Sequence, residues 1–165
     1  MFIQTTYSNH LADASVRGAR TAIAQTIASP AALKAMPESD VARRPQDGRW
    51  SPKEILGHLV DSALNNTQRF VRAQIPAHLT TGVLRTPGYA QNEWVRVCGY
   101  QDRPWSEIVD LWVGLNHNIV GIIDHFDSAS LSTPCIVGDG APVPIEHVIV
   151  DYAGHLVHHY KQITG

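Results

Sequence analysis

The chain is poor in the features that mark several large classes of protein. It has only two cysteines, Cys98 and Cys135, among 165 residues. Two are too few for the disulfide framework of a small secreted domain, and a reducing cytoplasm suits them. Net charge is nearly absent: 13 Lys+Arg against 15 Asp+Glu leave −2 with histidine neutral. No basic surface of the kind nucleic acid requires is therefore expected. There is no apolar run of the roughly 18 residues needed to cross a bilayer. The opening MFIQTTYSNHLADASVRG lacks the basic start and apolar stretch of a secretory signal. Strand-type alternation is scarce, and repeats and low-complexity tracts are missing. A 44 % hydrophobic share with 17 % charged residues excludes a disordered chain. The expectation is a single cytoplasmic domain over residues 1–165, able to bury roughly 70 % of its unfolded surface. What the chain has in excess is histidine, nine in all. Imidazole is the commonest metal ligand and a frequent acid–base group, so the placement of these nine decides the reading.

Four segments carry helical periodicity. Ser8 is expected to cap a first helix running to about Ala28, with Leu11, Ala14, Ala19, Ile23 and Ile27 on a loose apolar face. Ser29-Pro30 ends it, because the residue before proline is pushed out of the α region. Residues 30–48 read as a connector. The second helix, from Ser51 to about Ile75, has the clearest start. Ser51-Pro52-Lys53-Glu54 forms a capping box between Ser51 and Glu54, with proline at the first helical position, where its missing N–H costs nothing. Residues 76–104 read as irregular apart from a short helical piece over Asn92–Cys98. A third helix begins near Pro104 and repeats Ile108, Leu111, Trp112, Leu115, Ile119 and Ile122 at intervals of three and four. Residues 128–144, with three prolines and two glycines, read as a loop. A fourth helix runs from about Ile145 to Ile163. The expected fold class is all-α: a four-helix bundle with helices of roughly 19 to 25 residues and long irregular connections.

The fourth helix contains HLVHHY from His155 to Tyr160. His155 and His159 are one turn apart on or beside the buried face, with β-carbons about 6 Å from each other, so two imidazoles can meet one ion. His158 lies about 100° round the helix and should point elsewhere. On the second helix, His58 heads a polar line that continues through Ser62, Asn65 and Arg69. Such a line beside a core is costly unless its members are paired or face a wet pocket. One His from helix two and two from helix four give three nitrogen ligands, and three protein ligands with an open fourth position is the arrangement of catalytic zinc sites. The same nitrogens suit nickel, iron or copper. Other metal patterns are excluded. No Glu adjoins His155, as the zincin motif requires. Glu54 precedes His58 by four, which is the wrong interval for a di-iron bundle, and there is no Cys-x-x-Cys.

Asn65 and Arg69 are the candidates to meet substrate, the guanidinium being suited to a carboxylate or a phosphate, with an inter-helix salt bridge as the other reading of Arg69. Asp61 and Asp151 read as solvated helix-surface charges, with orientation of a ligand imidazole by one of them as the alternative, and Tyr152 reads as core. Gly57 and Gly154 each sit just before a candidate ligand. Glycine inside a helix costs about 1 kcal/mol, so each needs a reason, either a close helix approach around a shared ion or a bulky neighbour. His10, His78, His117, His125 and His147 are assigned no role, although His125 suits a helix C-terminus.

Two stretches also resemble a known family. WSPKEILGHLVDSALNNTQRF, from Trp50 to Phe70, is similar to the second-helix signature of the YfiT-like branch of the DinB superfamily, through Trp50, His58, Asp61-Ser62, Asn65 and Arg69. DYAGHLVHHYKQI is similar to the fourth-helix signature, through Tyr152, His155, His158-His159 and Gln162. Tyr89 and Trp94 match the segment between helices two and three, while the acidic pair usual after that tyrosine is Ala90-Gln91 here. The resemblance implies a DinB/YfiT-like bundle in which His58, His155 and His159 bind a divalent metal, nickel or zinc. It implies an enzyme that activates a thiol or a water and acts on a small molecule as a thiol S-transferase or a hydrolase, with a low-molecular-weight thiol as cosubstrate in the first case. A homodimer is expected, with neither nucleic acid nor membrane as partner. The alternative is a non-catalytic metal-binding stress-response protein with the same three histidines.

Overall fold

The computed structural model describes residues 7–46 and 48–165. After a 3-10 turn at Tyr7–His10 come α1 (Val16–Thr26), two short helices α2 (Pro30–Lys34) and α3 (Glu38–Val41), and the long α4 (Pro52–Arg72). Strand β1 (Leu84–Thr86) and α5 (Gln91–Cys98) lead to α6 (Trp105–Asp124). Strands β2 (Pro134–Val137) and β3 (Val143–Pro144) then precede α7 (Ile145–Thr164). Helix α4 packs along both α6 and α7, and α1 packs on the same two helices. These four make the bundle. Its centre is filled by Ile23, Leu56, Phe70, Trp112, Ile119 and Ile149, all buried. The apolar positions of each long helix recur every three or four residues, so each helix has one stripe to bury, and four stripes turned inward give one core.

The start of α4 follows the expected chemistry. The Ser51 hydroxyl accepts from the Glu54 N–H at 3.2 Å, and the Glu54 carboxylate accepts from the Ser51 N–H at 2.9 Å. A cap of this kind contributes about 1 kcal/mol. It also sets the first turn of the helix that carries His58. The neighbouring Arg44 guanidinium holds the Glu54 carboxyl below the usual carboxylate range.

Three expectations are corrected. The first helix does not run from Ser8: α1 begins at Val16, and Ser15 is its cap, accepting from the Gly18 N–H at 3.1 Å. Asp13 in turn accepts from the Ser15 N–H at 3.0 Å. Short polar side chains that bond their own backbone compete with the helix and delay its start. The chain before them forms a separate 3-10 turn that packs on α7. The connector over 30–48, outside the four expected helices, holds two short helices of its own. Helix α2 buries Leu33, whose carbonyl accepts from the Trp105 indole N–H at 2.6 Å. Finally, the expected loop over 128–144 and the irregular stretch before α5 contribute a small sheet in the order β1-β2-β3. Leu84 pairs with Cys135 in a parallel ladder, and Cys135 with Val143 in an antiparallel one. Strands of two to four residues are too short to carry a readable alternation. The protein is nonetheless helical in architecture. Among the described residues no helix is long and apolar enough to cross a membrane.

Candidate metal centre

His58 lies in the second turn of α4 and is 1 % exposed. His155 and His159 lie one turn apart on α7, the helix packed against it. The three rings converge: centroids are 4.9 Å apart for His58–His155, 5.1 Å for His58–His159 and 4.5 Å for His155–His159. One ring nitrogen from each lies within 4.8 Å of the other two. His158 turns away, as its register requires, and its ring lies 4.7 Å from that of His10 at an interplanar angle of 55°.

The chemistry of the donor set fits a cation. The Nε2 atoms of His58 and His155 face each other at 3.0 Å. Nitrogen ligands of a tetrahedral ion with bonds of about 2.0–2.1 Å are about 3.3 Å apart, so the pair is already close to that spacing. Burial pushes the His58 imidazolium down to about 3. Burial and the neighbouring histidines push His155 well below its ordinary value, and burial lowers His159 too. All three are therefore neutral near pH 7, with a lone pair free for a metal. The proton of His159 is placed by its neighbour. Its Nδ1 lies 2.7 Å from Gln162 Oε1, which can only accept, so Nδ1 carries the hydrogen and Nε2 is bare. The same Gln162 donates from its amide to His158 Nε2 at 3.2 Å. His58 has no such support, since its Nδ1 is buried without a partner among the described residues.

Neither expected carboxylate orients an imidazole. Asp61 is fully buried and accepts from the Tyr100 hydroxyl at 2.6 Å and from the Cys98 thiol at 3.8 Å. Asp151 accepts from the Tyr7 backbone N–H at 2.8 Å. Burial raises both carboxyls above the usual range. The two glycines have packing reasons rather than metal reasons. A β-carbon on Gly57 would enter the Tyr100 ring, and one on Gly154 would enter the backbone of Tyr7.

A cavity of about 180 Å³ opens beside His155 and reaches Arg69, with Ser62, Asn66, Tyr89 and Tyr152 on its wall. Arg69 is where the polar line places it. Asn65 is not: it donates to the Asp61 carbonyl of its own helix at 2.8 Å, and Asn66 stands on the cavity instead. From Ser62 the wall continues at the i+4 position rather than i+3, a rotation of about 100° that selects the next residue. Tyr89 lies 6.4 Å from the His58 ring and 5.1 Å from Trp94, and burial pushes its hydroxyl up to about 12. On the other flank, His159 and Gln162 line a second hollow with Trp50 and Asn92.

The sequence model of the DinB superfamily matches residues 24–163. The chain belongs to the DinB superfamily. It is similar to a protein named "Putative metal-dependent hydrolase BH0277" from Halalkalibacterium halodurans, 23 % identical over 126 residues, 76 % of this chain and 70 % of that protein. Its fold is similar to that of YfiT from Bacillus subtilis, described as a probable metal-dependent hydrolase with an unusual four-helix bundle topology. There the TM-score is 0.77 and the identity 19 %, over 90 % of this chain and 83 % of the other. The mycothiol-dependent maleylpyruvate isomerase shares the fold with a TM-score of 0.69 and 11 % identity, over 90 % of this chain and 60 % of that one.

Two contributors to this DinB centre were not among the expected site residues. Tyr7 sets its ring 5.0 Å from His155 and 5.4 Å from His158. The glycine at 154 was the available signal, because a helix residue without a side chain leaves room for another backbone. Asn66 was legible only as the alternative i+4 neighbour of Ser62.

Proposed function

We propose that this protein is a metal-dependent enzyme acting on a small molecule. His58, His155 and His159 hold a divalent ion, nickel or zinc, and the reaction is either hydrolysis or transfer of a low-molecular-weight thiol. The observation that carries the reading is the convergence of three uncharged imidazoles, one of which, His155, shares the wall of a cavity with Arg69. A bound divalent ion supplies the charge that lowers the pKa of an adjacent water toward neutrality or ionises a thiol. The protein does the rest. Gln162 keeps the His159 proton on Nδ1. The rings of Trp50, 5.1 Å from His58, and Tyr7 shield two imidazoles from bulk water. Tyr89 stays protonated and offers a hydroxyl on the wall it shares with His155 and Arg69. Of the two residues expected to meet substrate, Arg69 keeps that role and Asn66 takes the place of Asn65. A protein that only stores metal has no use for a cavity between its ligands and an arginine, which favours the enzyme over the non-catalytic alternative.

Metal analysis of the purified protein, dialysed against nickel or zinc, is the test. About one equivalent should remain. His159→Ala should lose it and His158→Ala should keep it. Uptake well below one equivalent, or equal loss in both variants, removes the site. The loaded protein is then incubated with a panel of thiols and a bimane electrophile. Thioether formation assigns a transferase, ester or amide cleavage without thiol assigns a hydrolase, and neither returns the protein to the non-catalytic class.

A further inference from the structure

Arg69 is a buried cation with no anionic partner among the described residues. It is 8 % exposed, yet none of the ion pairs formed among the described residues includes it. Its guanidinium donates to Asn66 Oδ1 at 3.1 Å and to the Pro87 carbonyl at 3.4 Å. A guanidinium has five N–H groups, so three remain without a protein acceptor among the described residues. Burial has made the charge costly enough to pull the guanidinium below its ordinary value. The polar groups that touch it, an amide oxygen and a peptide carbonyl, fix the fork in place without neutralising it. A fold gains no stability from a desolvated, unpaired charge. The arrangement makes sense if the counter-charge arrives with a ligand.

We infer that Arg69 is the anchor for a substrate carboxylate, and that the substrate is a small carboxylic acid whose reacting group lies at the other end of the same cavity. The inference rests on the proposed metal-dependent reaction and adds the class of substrate. The lining of the cavity favours a carboxylate over a phosphate. The planar fork donates to two oxygens side by side, an arrangement that a carboxylate and a phosphate both offer. Among the described residues, the cavity, about 180 Å³ in volume, has Arg69 as its sole arginine or lysine, and its one other basic group away from the proposed metal ligands is His147, beside Asp151, a balance that suits a monoanion better than a dianion. Asp151, on the same wall, repels a dianion further. The cavity also sets the span. Arg69 follows His58 by eleven residues on one helix, about 16 Å along the axis, and its side chain leans back toward the N-terminal end. His155 and Arg69 stand on the same wall, so a carboxylate held at the arginine leaves several bonds of substrate to reach the histidines.

The test uses the protein as purified and again after zinc loading, with metal content measured on each sample. The side-chain Nε–H resonance of Arg69 and the melting temperature are followed during titration with propionate, butyrate and valerate, with the matching amides, and with inorganic phosphate, at constant ionic strength. The acids should move the Arg69 resonance, raise the melting temperature and bind at least about tenfold more tightly than the amides, since only the acid forms charge-assisted pairs. Arg69→Met keeps the apolar stem. It should melt no lower than the wild type and lose the preference for acids. Equal binding of acid and amide, a preference that survives in Arg69→Met, or phosphate binding more tightly than every acid would each overturn the inference. The wild-type comparison is read at Arg69 itself, so it does not depend on the variant folding. Metal uptake without a preference for acids removes this inference and leaves the metal reading standing. A preference for acids without metal uptake does the reverse.

Discussion

The buried His58 predicts a pH dependence of stability with a definite sign and size. In the unfolded chain this imidazole titrates near 6.5, and in the fold burial pushes it down to about 3. The folded state therefore refuses a proton that the unfolded state accepts. Stability is fully present above about 6.5 and is lost as the pH falls from there toward 3. For these two values the loss from His58 alone is about 2 kcal/mol at about pH 5 relative to pH 8, approaching roughly 5 kcal/mol below pH 3. Asp61 and Asp151, whose carboxyls burial raises, act in the opposite sense. The measurement is therefore a difference between wild type and His58→Gln, which cannot titrate. Metal is removed with a chelating resin, and urea unfolding is followed at about pH 8 and 5. The wild type should lose about 2 kcal/mol more than the variant over that interval. Equal losses in the two proteins would refute the claim that His58 is held neutral by burial, and with it the claim that its lone pair is available at neutral pH.

Three further outcomes follow from particular contacts. Gln162→Leu should weaken metal binding by about 10- to 100-fold in competition with a chromophoric chelator, while Gln162→Glu, which keeps the acceptor for His159 Nδ1, should not; an unchanged affinity in Gln162→Leu would show that the glutamine does not set the tautomer. Gly57→Ala should cost about 1–3 kcal/mol in urea unfolding, because the added methyl meets the Tyr100 ring in a filled core. Tyr100→Phe should cost about 1.5–3 kcal/mol by leaving the buried Asp61 carboxylate without its main donor, and adding Asp61→Asn should recover part of that loss; a double variant as unstable as the sum of the two single changes would argue against the bond.

Much of this protein is legible along the chain because its determinants are local. The Ser51–Glu54 box and Pro52 place the start of α4 within one turn. The recurrence of apolar residues outlines α4, α6 and α7. The spacing of His155, His158 and His159 separates the inward pair from the outward residue, because a helix advances about 100° per residue wherever it occurs. Three kinds of feature escaped that logic. The 3-10 turn that brings Tyr7 against His155 depends on a bond to Asp151, 144 residues away. The strands of the small sheet are too short to alternate visibly. The partners of buried polar groups are chosen across the interior: Asp61 is spent on Tyr100 rather than on an imidazole, Asn66 faces the cavity where Asn65 does not, and Arg69 is buried without a carboxylate partner among the described residues. Helical period and capping chemistry thus determine which residues share a face. Only the packing of one element on another decides which of those residues receive a partner and which are left open for a ligand, because burial and long-range hydrogen bonding are properties of the assembled core and not of any segment of it.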